Sequence, residues 1–242
     1  MTRELQFPTL YQTAPHPCPY IHEKTAVNLI LDPHFPVTIG LYQRLLQHGF
    51  RRNGALYYRP FCNECSACVS VRVPVRKFRP NRSQRRTQRR NEHLEVSFSK
   101  AEYSHEHFEL YLRYQSSRHR GDSMDDPDPD KYRRFLVDSA VDTSFIEIRE
   151  VGQLLALAIV DSVDNGLSAI YTFYDPDKSP QSLGTFAILK EIEMARILGL
   201  DYLYLGYWIA DSPKMSYKSR FRPLERFNTF SGRWEDFNHG VS

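Results

Sequence analysis

The chain of 242 residues contains no apolar run approaching the roughly 20 residues needed to cross a bilayer. Its start, M-T-R-E-L-Q-F-P, lacks the basic opening and apolar stretch of a secretory leader, so the expectation is a soluble cytoplasmic protein without a membrane partner. No nucleophile elbow, Walker loop or HExxH motif occurs, and the nine histidines fall in no recognisable metal or triad spacing. The motif-borne hydrolase, P-loop and zinc-protease classes are thereby excluded as motif matches. No internal repeat is visible, and only four cysteines are present. The most telling absence is local: between Val69 and Asn91 there is no Asp or Glu.

What fills that acid-free window is arginine. Arg82, Arg85, Arg86, Arg89 and Arg90 in R-S-Q-R-R-T-Q-R-R recur at the spacing of one helical face, with Asn81 placed to cap the helix. Most charge runs are solvated faces, but those mix signs at i and i+4, whereas this one stacks like charges. An anionic partner relieves that repulsion, and guanidinium suits bidentate phosphate contacts, so the stripe points to nucleic acid. The overall charge is only +3, which makes the local concentration the informative quantity. Composition is otherwise globular, 41% hydrophobic with 15 Tyr and 15 Phe, enough for a core and for stacking surfaces.

Length allows one large domain or two modest ones, and two are expected: 1–100 with the cysteines and basic helix, and 101–242. The segment 37–48 has helical patterning and stops at Gly49. Alternation in V-S-V-R-V-P-V from Val69 to Val75 reads as a half-buried strand, with Pro74 suggesting an edge or bulge. A strand at 94–98 and a helix at about 104–117 follow, then an acidic, proline-broken loop, D-S-M-D-D-P-D-P-D. Strand-like runs at 145–150, 153–160 and 167–174, separated by Val151-Gly152 and Asp164-Asn165-Gly166, predict an antiparallel meander. After a loop, Ser182 is placed to cap a long helix ending at Gly199, and Tyr202 to Trp208 reads as a strand. The fold class is α+β, and the order meander, loop, helix, strand is that of the acetyltransferase-like GNAT fold.

Three constellations carry candidate chemistry. Cys62, Cys65 and Cys68 in C-N-E-C-S-A-C, with Cys18 or His16 completing a shell, suit an iron–sulfur cluster or zinc. The alternative is that Cys18 stands apart and the other three form an unligated reactive surface. Gln181-Ser182-Leu183-Gly184-Thr185-Phe186 begins the GNAT pyrophosphate pattern Q/R-x-x-G-x-G/A and breaks it at Phe186, so coenzyme A is not expected; alternatively Phe186 is a core residue and the partial match is chance. Finally, in G-Y-W-I-A-D-S-P-K-M-S-Y-K-S-R-F-R-P, Tyr207 and Trp208 can wall a pocket or stack on a base, and Lys214, Lys218, Arg220 and Arg222 can hold an anion. Aromatics at a strand end are also common core residues.

These stretches together, Y-Y-R-P-F-C-N-E-C-S-A-C, V-R-V-P-V-R-K-F-R-P-N-R-S-Q-R-R-T-Q-R-R-N, Y-T-F-Y-D-P-D, S-L-G-T-F-A-I-L-K-E-I, Y-L-G-Y-W-I, K-M-S-Y-K and F-R-P-L-E, resemble the bacterial aminoacyl-tRNA:protein transferases, specifically the aspartate/glutamate leucyltransferases, from about Cys18 to Trp234. The resemblance implies an N-terminal cysteine-motif domain and a C-terminal GNAT-like domain. It implies transfer of leucine from leucyl-tRNA to the α-amine of proteins beginning with Asp or Glu, a step of N-degron protein degradation; eukaryotic relatives use arginyl-tRNA. On that reading the arginine helix meets the tRNA acceptor region, the leucyl group enters an aromatic pocket involving Tyr171, Tyr174 or Tyr207, and Lys214, Lys218 or Arg220 meets the acidic side chain. Asp175 is then a base or amine-orienting carboxylate, unless Asp175-Pro176 is simply a turn. Two competing readings are a coenzyme A-dependent acetyltransferase and a non-catalytic RNA-binding module with a structural metal. Which of Glu147, Glu191 or Asp175 faces the site is left open.

Overall fold

The protein is described by a computed structural model covering residues 8–118 and 127–237. The first part of the acidic loop expected after the helix at about 104–117, residues 122–126, lies outside the described residues. In chain order the elements are β1 (Leu10–Gln12), β2 (His16–Pro17), β3 (Thr25–Ala26), β4 (Asn28–Leu31), α1 (Ile39–Gln47), β5 (Arg51–Asn53), β6 (Leu56–Pro60), β7 (Val69–Pro74), α2 (Arg82–Arg90), β8 (Glu95–Lys100) and α3 (His105–Arg118). There follow α4 (Pro129–Tyr132), β9 (Thr143–Glu150), β10 (Gln153–Val163), β11 (Gly166–Tyr174), α5 (Leu183–Ile197), β12 (Tyr202–Trp208), α6 (Pro213–Ser216), β13 (Glu225–Asn228) and β14 (Arg233–Asp236). The class is α+β.

An eight-stranded sheet, ordered β14-β13-β7-β12-β11-β10-β9-β8, organises the molecule, beside a four-stranded sheet β1-β4-β6-β5. The meander β9–β10–β11 is antiparallel as the Val151-Gly152 and Asn165-Gly166 turns require. Both faces of it are covered. Ile146, Ile148, Ala156 and Ala158 pack under α5 with Phe186 and Ala187, while Phe145, Leu157, Ile159 and Phe173 pack against Phe108 and Tyr111 of α3. Alternate side chains of one strand therefore fill two separate cores, which is why β10 is buried almost without interruption.

Two expectations, on β7 and on Ser182, are corrected. β7 is neither an edge nor half-buried: it lies between β12 and β13, and its polar residues are covered too. Arg72 is tolerated there because its Nε donates to Glu225 Oε2 at 2.7 Å and its guanidinium lies 3.6 Å from the Tyr202 ring centre. β7 and β8 belong to the same sheet as the C-terminal strands. Ser182 makes no side-chain cap; it turns left-handed (φ 56°) ahead of α5.

One further link ties the layers together. Arg52 of β5 donates from Nε and Nη2 to both oxygens of Asp161 on β10 at 2.5 and 2.6 Å, both side chains fully buried. Tyr42 of α1 and Thr143 donate to the same carboxylate at 2.8 and 2.7 Å, so the buried pair leaves little hydrogen-bonding capacity unmet.

Candidate active site where two strands part

β11 and β12 are the parallel neighbours of the large sheet, and their register extends only from Gly166↔Tyr202 to Ser168↔Tyr204. Beyond that point β11 continues alongside β10 to Tyr174, while β12 continues alongside β7 to Trp208. The two strands part, leaving a wedge whose vertex lies at Ser168 and Tyr204. Arg51 of β5 occupies that vertex: its guanidinium donates to Ser168 Oγ at 3.0 Å, to Tyr204 O at 3.2 Å and to Ala169 O. Room for it comes from Gly206, at φ 83° in a bulge of β12, where a Cβ would lie 3.1 Å from Arg51 Nε.

On the opposite face, α5 lays Glu191 over the same seam. Ala187, one turn earlier, belongs to the core under β9 and β10, and Ile188 and Ile192 belong to the core with β7 and β12. Glu191 is 0% exposed, and neither carboxylate oxygen has a hydrogen-bond partner. Burial drives its pKa up to about 8 despite the opposing pull of Arg51. Lys218, after β12, is also buried; its Nζ donates to Tyr207 O at 2.6 Å and lies 3.2 Å from Met215 Sδ. Burial first and Arg51 second bring its pKa down to about 7. Tyr217 adds a hydroxyl whose pKa is raised by burial and by the nearby Glu191, Tyr114 and Tyr174. One arginine, one carboxylate, one lysine and three tyrosines thus converge on the parting of the strands.

The arginine helix forms as its spacing predicts. Asn81 and Gln84 make a reciprocal capping box at 2.9 Å each way, and Gln84 and Thr87 supply the buried face. Arg82, Arg85, Arg86, Arg89 and Arg90 are exposed, and none forms an ion pair among the described residues. Arg82, Ser83, Arg86 and Arg89 share one open, solvent-facing side of the helix. The buried face docks at both ends: Gln84 Nε2 donates to Arg220 O at 3.1 Å, and Asn91 Nδ2 donates to Gln181 O at 2.8 Å, with Arg90 reaching Pro180 O. Residues 176–182 follow β11 and residues 213–220 follow β12, so α2 spans from one arm of the wedge to the other.

The other expected site residues divide. Tyr174 and Tyr171 share an aromatic cluster with Tyr114, the first at 5.0 Å and the second at 6.4 Å between ring centres, and Arg118 donates to Tyr174 Oη at 2.6 Å. Tyr207 is elsewhere: buried, its hydroxyl lies 3.1 Å from both Gly49 O and Tyr58 O. Trp208 is 8% exposed, donates to Ser216 O and packs on Phe237. Both side chains lie in the core. Lys218 is buried with its Nζ already donated to Tyr207 O, whereas Lys214 and Arg220 are exposed. Asp175 accepts from Asp177 N at 3.0 Å and from Arg113 at 3.4 Å, which gives it the work of a turn cap rather than of a free base. Phe186 sits in the core.

The four thiols are neighbours. Burial first, then Cys18, Cys62 and Cys65, push the Cys68 thiol up to about 12, and Cys62 lies against Val27 with N–H to Sγ at 3.5 Å. Among the described residues, however, no three His, Cys, Asp or Glu side chains stand close enough to hold a metal ion. From Cys68 an aromatic path of Tyr20, Tyr58 and Tyr207 leads to Lys218. No helix among the described residues is long and apolar enough to cross a membrane.

Residues 16–86 match the family model "Arginine-tRNA-protein transferase, N terminus", and 106–228 match its C-terminal counterpart. The aspartate/glutamate leucyltransferase of Stenotrophomonas maltophilia (strain R551-3) is 49% identical over 95% of this chain and 93% of its own length; that of Chromobacterium violaceum is 44% identical over 95% and 94%. Among solved structures, the C-terminal domain of a putative lysylphosphatidylglycerol synthetase from Agrobacterium fabrum overlays with a TM-score of 0.44 at 13% identity over 70% of this chain and 51% of that one, too distant a likeness to argue from. With family matches in both halves and relatives this similar from end to end, the chain belongs to the arginine-tRNA-protein transferase family, among its aspartate/glutamate leucyltransferases.

Proposed function

We propose that this chain transfers leucine from leucyl-tRNA to the N-terminal α-amine of proteins that begin with Asp or Glu. The observation that carries the reading is an acid-free arginine face whose buried side is docked onto the segments that border both arms of the strand wedge. Phosphates of an acceptor stem lying on Arg82, Arg86 and Arg89 would leave the aminoacyl end close to Tyr174 and Tyr114. The parallel pair that opens after three residues, following a meander and backed by α5, supports reading the cleft as GNAT-like.

An aminoacyl ester is already activated, so the enzyme needs no covalent nucleophile. It has to hold an uncharged amine against the ester carbonyl and accommodate the oxyanion, tasks of positioning and fixed charge. The exposed Lys214 and Arg220 are placed to meet the acidic first side chain. The cysteine cluster remains a candidate zinc or iron–sulfur knot, checked by metal analysis of anaerobically purified protein.

The test is direct. Purified protein is incubated with radiolabelled leucyl-tRNA or arginyl-tRNA and peptides beginning with Asp, Glu or Ala. Label from leucine on the Asp and Glu peptides alone is the expected result, and tRNA binding without any transfer would reject it.

A further inference from the structure

From its place over the parted strands, we infer that Glu191 is the group that takes the proton from the attacking amine. The inference deepens the proposed leucyl transfer and rests on it. A carboxylate removed wholly from water, with both oxygens unpartnered, is costly for a fold to keep. Every other carboxylate near the wedge has work. Asp175 caps a turn and meets Arg113, Asp161 is held by Arg52, Tyr42 and Thr143, and Glu147 accepts from His107 at 3.1 Å and from Arg149 at 2.8 Å. Glu191 is the one carboxylate among the described residues whose buried oxygens bond to nothing.

Its surroundings suit a proton that comes and goes. The charged and titratable groups in its reach are Arg51, entering from β5 at the vertex, and Tyr217, after β12. Lys218 lies in reach of Arg51 in turn. Apolar neighbours from β7, β12 and α5 supply the rest, and they favour the neutral acid. An α-ammonium loses its proton near pH 8, and Glu191 titrates in the same range, where a general base works best.

The step balances. The acceptor's α-ammonium passes one proton to a Glu191 oxygen. The freed lone pair forms the C–N bond to the ester carbonyl carbon, and the C–O bond to the ribose breaks with its electron pair on the ribose oxygen. The second proton shed by nitrogen goes to that oxygen, and Glu191 releases its own proton to solvent.

The test compares wild type with Glu191→Gln, which keeps the shape and removes the base. Single-turnover transfer from leucyl-tRNA to an Asp peptide is followed across pH 6 to 9, with tRNA affinity measured in parallel. The expected loss is about 10² to 10⁴-fold in rate at unchanged tRNA affinity, with the pH dependence near 8 flattened. An acceptor carrying an aminooxy group, already uncharged at neutral pH, should recover most of that loss, which a merely structural defect would not allow. A wild-type rate in the variant, an unaltered pH profile, or an equal loss with the aminooxy acceptor overturns the assignment. Carbon-13 NMR of the labelled glutamate carboxyls separates this failure from that of leucyl transfer itself. Glu191 should titrate near pH 8 and shift when Asp peptide is added, whichever aminoacyl-tRNA serves as donor; a signal indifferent to the peptide counts against it.

Discussion

Gly206 holds a left-handed backbone at the point where a side chain would strike Arg51. Gly206→Ala combines that strain with displacement of the guanidinium, and a loss of about 1–3 kcal/mol in urea unfolding is expected together with reduced transfer. Unchanged stability would show that the vertex is looser than described. Glu191 makes a separate prediction about pH. Its folded-state pKa of about 8 lies above the 4.5 of an exposed glutamate, so the folded chain holds a proton that the unfolded chain has released. The contribution is fully present below pH 4.5 and is lost as pH rises through 8, a decline of roughly 5 kcal/mol at its limit. Thermal melts of Glu191→Gln should lack that decline; a variant that parallels wild type at every pH contradicts it. The sequence offers Glu191 only as one of three candidate carboxylates, with Glu147 and Asp175, and does not mark Arg51. A glutamate inside L-G-T-F-A-I-L-K-E-I-E-M looks like any solvated helix position until the sheet beneath α5 is known, and Arg51 looks like its neighbour Arg52.

At the scale of elements, local rules sufficed where the structure is local. The cap at Asn81, the stop at Gly49 and the Asn165-Gly166 turn act over four residues or fewer, and α1, α2 and the meander formed where their spacing placed them. The central place of β7 was harder, because pairing it along both edges takes β12 and β13, more than a hundred residues away. Replacing Arg86 and Arg89 with Ala should leave the melting temperature unchanged or raise it slightly, since both are exposed and lack acidic partners. It should also flatten the plot of log affinity for tRNA against log salt by about 1.5 in slope if each meets one phosphate. An unaltered slope removes α2 from the interface.

Across the whole molecule, the small sheet and the large one are joined through Arg52 and Asp161. Arg52→Met strands a buried carboxylate and should cost about 3–5 kcal/mol, while the double variant with Asp161→Asn should recover part of it; additive losses would argue against a coupled pair. That joint also fixes Arg51, the adjoining residue of β5, at the vertex, so the N-terminal strands reach into the site rather than standing apart from it. What sequence could not supply is the assembly: motifs cluster along the chain, but the wedge is built from β5, β11, β12 and α5. The central claim is that α2 grips an acceptor stem and delivers its aminoacyl end to that wedge. Photo-crosslinking with a leucyl-tRNA analogue joined through a stable amide measures this most directly, with reactive groups at the terminal adenosine and in the acceptor stem. The account predicts terminal crosslinks at Tyr174, Tyr114 or Tyr217 and stem crosslinks at Arg82 to Arg89. Terminal crosslinks confined to the sheet of β1, β4, β5 and β6 would contradict it.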